Sequence, residues 1–201
     1  STEPQNTDVT VIFNADGNGP GTLRNYGRYN VNNSSSVTLS VKRSSFASGE
    51  RFYVYILANS ILTEQDFSEI SSYNDLIDRK QEDINLHLSG LSIDSAPKHF
   101  LMDAVATDGT GEKAVVLNNG VYDANTVLEA VLKRAAAKVA VNITASEKVQ
   151  FRNFTLADGS EGGLYYLRNM PYDTYLLSEA RSPEQIRNAK VRNTTKTNNA
   201  Y

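Results

Sequence analysis

The stretch "RFYVYILAN", Arg51 to Asn59, constrains this chain more than any other. Phe52, Val54, Ile56 and Ala58 fall on one side of a strand, and Tyr53, Tyr55 and Leu57 on the other. A strand with one wet face alternates apolar and polar residues. A strand apolar on both faces belongs in the middle of a sheet that is covered on each side. The chain must therefore supply neighbours on both edges of this strand and cover for both of its faces.

Several segments qualify as neighbours. "DVTVIF" (Asp8 to Phe13) alternates over its length. "SVTLSVKR" (Ser36 to Arg43) sets Val37, Leu39 and Val41 on one face and serine, threonine and lysine on the other. "HFLMDAVAT" (His99 to Thr107) and "EKAVVLNN" (Glu112 to Asn119) read as short strands joined through "DGTG". "VQFRNFTLAD" and "LYYLRNM" read as strands around the turn "GSEGG", with Pro171 closing the second. "NADGNGPGT", after the first strand, is a dense turn signal, and "SFASGE" is a second turn. Two short helices are expected between Thr63 and Lys80. Thr63 with Asp66 and Ser72 with Asp75 each have the spacing of a capping box. From Leu177 the chain reads as a linker, with a proline-started helix at "SPEQI" and an aperiodic end. Many short strands between glycine, asparagine and serine turns indicate a β-sandwich or a partly open barrel with a helical insertion.

Composition narrows the function. The 20 basic and 23 acidic residues are scattered and give a net charge of -3, which excludes a basic groove for nucleic acid. The absence of cysteine removes disulfides, thiol nucleophiles and cysteine-rich zinc sites. Asp16 to Gly21 has neither the lysine of a phosphate loop nor the closing glutamate of a calcium loop, and reads as a hairpin connection. His87 and His99 are the only histidines, and neither stands in a metal-binding or triad pattern, so both read as structural or surface residues. No stretch nominates a carboxylate pair or a glycine-flanked nucleophile. The reading is of a non-catalytic protein without metal or cofactor. Tyrosines on strands offer a second reading, a platform for carbohydrate or another host ligand.

"VLKRAAAKVAVNI" (Val131 to Ile143) carries two readings up to Ala137. As a helix, Thr126 and Glu129 make a capping box, and Val127, Val131, Leu132 and Ala135 share a face. As a β-element, residues 131 to 134 alternate. Val139, Val141 and Ile143 fall on one strand face either way. Arg134 and Lys138 border that apolar face, and the alanines suit close packing.

In this segment the chain resembles the Bacteroidales fimbrillin-like fimbrial subunits, the type V pilins. Leu132, Arg134, Ala137, Lys138 and Val139 match the family's L-x-R-x-x-A-K-V signature, with Val141 and Ile143 continuing it. "FYVYILANS", "SYNDLID", "HFLMDA" and "FTLADGSEGGLYYL" match further family stretches in order, although Asp103 and Ala104 stand where small polar residues and glycine are usual. The similarity runs from Val9 to Tyr175. It implies residues 1–8 as a flexible lead, 9–176 as an N-terminal domain with a transthyretin-like β-sandwich, and 177–201 as a linker towards a C-terminal domain. It implies a structural subunit of a fimbrium at the cell surface and outer membrane, made as a lipoprotein precursor whose lipidated N-terminus is removed. An arginine-directed protease frees an N-terminal strand, and another subunit's strand fills the groove. Here Arg24 and Arg28 are the candidate cleavage points, and Val9, Val11 and Phe13 the candidate strand-assembly edge. Other fimbrial subunits, and host or bacterial surface ligands, are the implied partners. "DSA" (Asp94 to Ala96) resembles the O-glycosylation motif of exported proteins in these bacteria.

Overall fold

The computed structural model describes residues 7–31, 34–60, 62–81, 101–120, 126–135, 144, 146–148, 154–155, 161–162, 170–171, 174–179 and 191–192. The fold is mainly β, with antiparallel pairing and a small helical insertion. In chain order the elements are β1 (Thr7–Asp16), β2 (Gly19–Asn30), β3 (Arg51–Ala58), α1 (Glu64–Ser68), α2 (Tyr73–Ile77), β4 (Lys80–Gln81), β5 (Met102–Val105), β6 (Ala114–Val116) and β7 (Lys133–Arg134), then the short strands β8 (Phe154–Thr155), β9 (Glu161–Gly162), β10 (Met170–Pro171), β11 (Thr174–Tyr175) and β12 (Val191–Arg192). A single 3-10 turn covers Arg43–Ser45. The chain divides into two compact units, the first formed by Ser1–Lys80, His99–Ala135 and Tyr175–Ala180, the second by the remaining segments. In the second unit β8 pairs with β9 and β10 with β12.

The first unit is built on a sheet in the order β2-β1-β3-β5-β7, with β6 pairing β3 beside β5. As its two apolar faces predict, β3 is central. Tyr55, Leu57 and the half-buried Tyr53 join Val9, Val11 and Phe13 of β1 in one core, which Phe67 of α1, Leu76 of α2 and Ile70 between the two helices close. Phe52, Val54 and the partly buried Ile56 face the other way and pack with Ile12, Phe46, Ala106 and Val115. Both helices start as their capping boxes predict. Thr63 donates its N–H and hydroxyl to an Asp66 carboxylate oxygen at 2.7 and 2.8 Å. One Asp75 oxygen accepts from the backbone and hydroxyl of both Ser71 and Ser72.

Three expectations need correction. The turn after β1 closes within Gly17–Asn18, with Gly17 at φ +60°, and the chain returns at once as the 12-residue strand β2. Glycines, Pro20 and Asn25 hide β2 in the sequence, since they break the alternation and carry low strand propensity. β1 templates it by hydrogen bonding, and as an edge strand it tolerates the proline. Gly21 is required there, because a Cβ would lie 2.7 Å from the Asp16 Cβ. Second, Ser36–Lys42 is not a strand: it runs outside any helix, turn or ladder, with Val37, Leu39 and Val41 exposed. Alternation specifies a face, but a strand exists only where another backbone accepts and donates hydrogen bonds. Third, the helical reading of 126–137 fails over Thr126–Ala135. Glu129 exchanges two 2.8 Å backbone bonds with Thr107, and Lys133–Arg134 pairs with Met102–Asp103. Val127 and Val131 point to solvent, and Leu128 and Ala130 face the core.

Leu176 and Leu177, which flank the boundary expected after residue 176, are each 1% exposed in the β1 core. Packing of these leucines and a backbone bond from Leu176 N–H to the Arg79 carbonyl (3.1 Å) tie this segment to the helical insertion. The proline-started helix expected at Ser182 lies outside the described residues.

The buried Thr10 hydroxyl on β1 has no hydrogen-bond partner. Thr10→Val keeps the shape and removes that penalty, so it should raise unfolding free energy by about 1 kcal/mol in urea titration. Phe13→Ala, at a fully buried ring, should lower it by about 3–5 kcal/mol in the same assay.

Candidate functional site

Val9, Val11 and Phe13, read as an assembly edge, line a strand interior to the sheet. β2 pairs along one side of β1 and β3 along the other. All three side chains are fully buried. Opposite them on β3 stand Leu57, Tyr55 and Tyr53, and on β2 stand Arg28, Tyr26 and Leu23. Aromatic rings surround the Phe13 end, with Tyr55 at 5.9 Å and Tyr73 at 5.8 Å, both edge-on. Tyr26 stacks on Phe67 of α1 at 4.3 Å. The result is an apolar slot one strand wide, with backbone partners on both sides and pockets for alternate side chains.

The edge strand is β2, and it carries both candidate cleavage points. Arg24 is the extra residue where pairing shifts between Ile12–Asn25 and Phe13–Leu23, which makes it a β-bulge. Its guanidinium pairs with Glu50 at 3.0 Å. Arg28 donates to the Leu62 carbonyl ahead of α1. Both residues are exposed and follow β1 in the chain, so cutting after either separates β1 from the remainder of the unit.

A polar latch ties the segment after Tyr175 to β5. Asp103, 5% exposed inside β5, accepts from the Ser178 N–H at 2.8 Å and its hydroxyl at 2.9 Å. Next along the chain, Glu179 pairs with Lys113. Burial pushes the Tyr55 phenol far above its usual range, with the nearby Tyr73 and Glu179 adding to the effect. Burial raises Tyr73 too. The Glu179 carboxylate raises Lys113. Phenols held protonated act as hydrogen-bond donors, so this network fastens Tyr175–Glu179 over the β1 core. A charged residue inside the apolar run "FLMDAVA" was its one signal in the sequence.

The remaining candidates divide between described and undescribed residues. Leu132 is 38% exposed, and Arg134 lies exposed on β7 opposite Met102. Ala137, Lys138, Val139, Val141 and Ile143 lie outside the described residues, as do His87, His99 and Asp94–Ala96. Among the described tyrosines, Tyr26, Tyr53, Tyr55 and Tyr73 pack in or against the β1 core, and Tyr29 and Tyr175 are half-buried. Among the described residues there is no cluster of three metal-ligating side chains, and no helix is long and apolar enough to cross a membrane. No protein-family model, curated protein or solved structure matches the chain.

Three capped carboxylates set the acid limb of stability. Thr63 N–H and hydroxyl hold Asp66 below the usual carboxylate range, and the Thr110 hydroxyl and N–H do the same for Asp108. Ser71 and Ser72 hold Asp75 down at about 2. A depressed carboxylate contributes stability that is fully present above its unfolded pKa and lost as pH falls through the folded value. Stability should therefore decline from about pH 4 towards pH 2. Asp75→Asn should flatten part of that decline, read as the pH dependence of the urea midpoint.

Proposed function

We propose that the chain is a structural subunit of a cell-surface fimbrium that polymerises by intermolecular strand addition, on a transthyretin-like β-sandwich framework. The observation that carries the proposal is the interior seat of β1. A single N-terminal strand buries three alternate apolar side chains completely and is hydrogen-bonded along both edges. Losing it would expose the edge of β3 and an apolar groove backed by Tyr55, Leu57, Leu62, Phe67, Ile70 and Leu76. Such a groove can be refilled only by another strand with apolar residues at alternate positions, because its walls demand backbone hydrogen bonds and side-chain pockets together.

Arg24 and Arg28 fit the release step by position. Cleavage after Arg28 would free β1 with most of β2, leaving β3 as acceptor. The sequence resemblance to type V pilins suggests the setting: a lipidated precursor, the outer membrane, and sister subunits as partners. Adhesion to host or bacterial surfaces would then be a property of the filament. The alternative of a carbohydrate platform has less support, since Tyr26, Tyr53, Tyr55 and Tyr73 serve the core.

Digestion with an arginine-specific protease, followed by size-exclusion chromatography and electron microscopy, tests the proposal. Oligomers or filaments are expected after cleavage at Arg24 or Arg28, and a synthetic Thr7–Asp16 strand in excess should suppress them. Arg24→Gln with Arg28→Gln should stay monomeric under the same treatment. A cleaved chain that loses β1 yet remains monomeric would remove the basis for strand addition.

A further inference from the structure

Ser36–Lys42 has the composition of a strand and none of the bonding. It runs without helix, turn or bend, and none of its residues has a positive φ. Val37, Leu39 and Val41 are 40%, 42% and 42% exposed, and Thr38 and Ser40 between them are exposed as well. Among the described residues, no backbone hydrogen bond engages the peptide groups from Val37 to Val41. Five consecutive peptides with no backbone partner among the described residues, beside an apolar alternation, have the character of a strand edge, which proteins ordinarily pair, cover or interrupt with charge.

The order of the side chains identifies the partner. Val-Thr-Leu-Ser-Val reads nearly the same in both directions about Leu39. Two copies laid antiparallel about a two-fold axis would set Leu39 against Leu39, Val37 against Val41, and Thr38 against Ser40. Every apolar residue then meets an apolar residue, and every hydroxyl a hydroxyl. Lys42 would stand opposite Ser36 and not opposite its own copy, so like charges do not face each other. The edge strand β2 is a poorer match, because it would bring Arg24 and Arg28 towards the lysine. An isologous contact of this kind closes on itself at two copies.

We propose that Val37–Val41 is a self-pairing strand through which two copies of this chain join in an antiparallel ladder centred on Leu39. The contact goes beyond strand addition at β1 and does not depend on it: it needs no cleavage and leaves β1 seated. A ladder of five residues is short, and an interface below about 1,200 Å² belongs to the transient class. The dimer should therefore be weak for a free chain and become firm where copies are held side by side.

Single cysteines test the geometry, since the chain has none of its own. On the two-fold axis, Leu39→Cys brings two sulfurs within disulfide reach. Val37→Cys alone leaves its copies about 13 Å apart along the ladder, beyond the roughly 7 Å limit between Cα atoms. In oxidising buffer, the intact and uncleaved Leu39→Cys protein should form covalent dimers at least tenfold faster than Val37→Cys or Val41→Cys alone. Mixing the last two should restore cross-linking. Thr38→Pro in the Leu39→Cys background should abolish it while leaving the circular dichroism spectrum and Tm unchanged, because Val37–Val41 makes no backbone hydrogen bond to the described residues of its own chain. Equal rates at all three positions, no cross-linking at Leu39→Cys, or persistence through Thr38→Pro would each overturn the proposal.

Discussion

The seating of β1 between β2 and β3 is the interaction on which the first unit depends. Val9, Val11 and Phe13 supply a fully buried apolar stripe, and the backbone around them is hydrogen-bonded on both sides. Neither half suffices alone. Side chains without the ladder would leave two rows of peptide groups unsatisfied in a dry interior. A ladder without those side chains would leave a hollow between β3 and the helices. The two requirements coincide in one strand, so the hairpin partner β2, the helical insertion and the leucines at 176 and 177 are all organised around it.

Polar contacts guide this arrangement more than they drive it. The surface pairs Arg24–Glu50 and Arg79–Glu69 are partly solvated and contribute little in such settings. The capped carboxylates do more, because each satisfies several donors at a solvent-exposed helix start or tight turn that no intrahelical carbonyl reaches. The Asp103–Ser178 contact has a different role. It holds the return of the chain near Tyr175 against β5. Pairing and packing also hold two tyrosine hydroxyls inside an aromatic cluster, where protonated phenols can donate to Glu179 and to one another.

Legibility followed the range of the interaction. The two apolar faces of β3 are a local fact, and so are the two capping boxes; each could be read from spacings of two or three residues and formed as read. β2 was invisible because its strand state comes from β1 and not from its own residues. Ser36–Lys42 failed in the opposite sense, with faultless alternation and no described strand alongside. Thr126–Ala135 was ambiguous for the same reason, and one backbone exchange between Thr107 and Glu129 decided it.

By itself, the sequence determined that this chain is mainly β, which strand is central, where two short helices begin, and that these residues carry no thiol. Those properties reside in side-chain period, local capping and composition. Only the tertiary structure decided which strand lies inside and which at the edge, that β1 is enclosed, that Arg24 and Arg28 sit on β2, and that Val37, Leu39 and Val41 remain open. A hydrogen-bond partner for a strand is a neighbour in space, and its position in the sheet is set by contacts that no local pattern encodes.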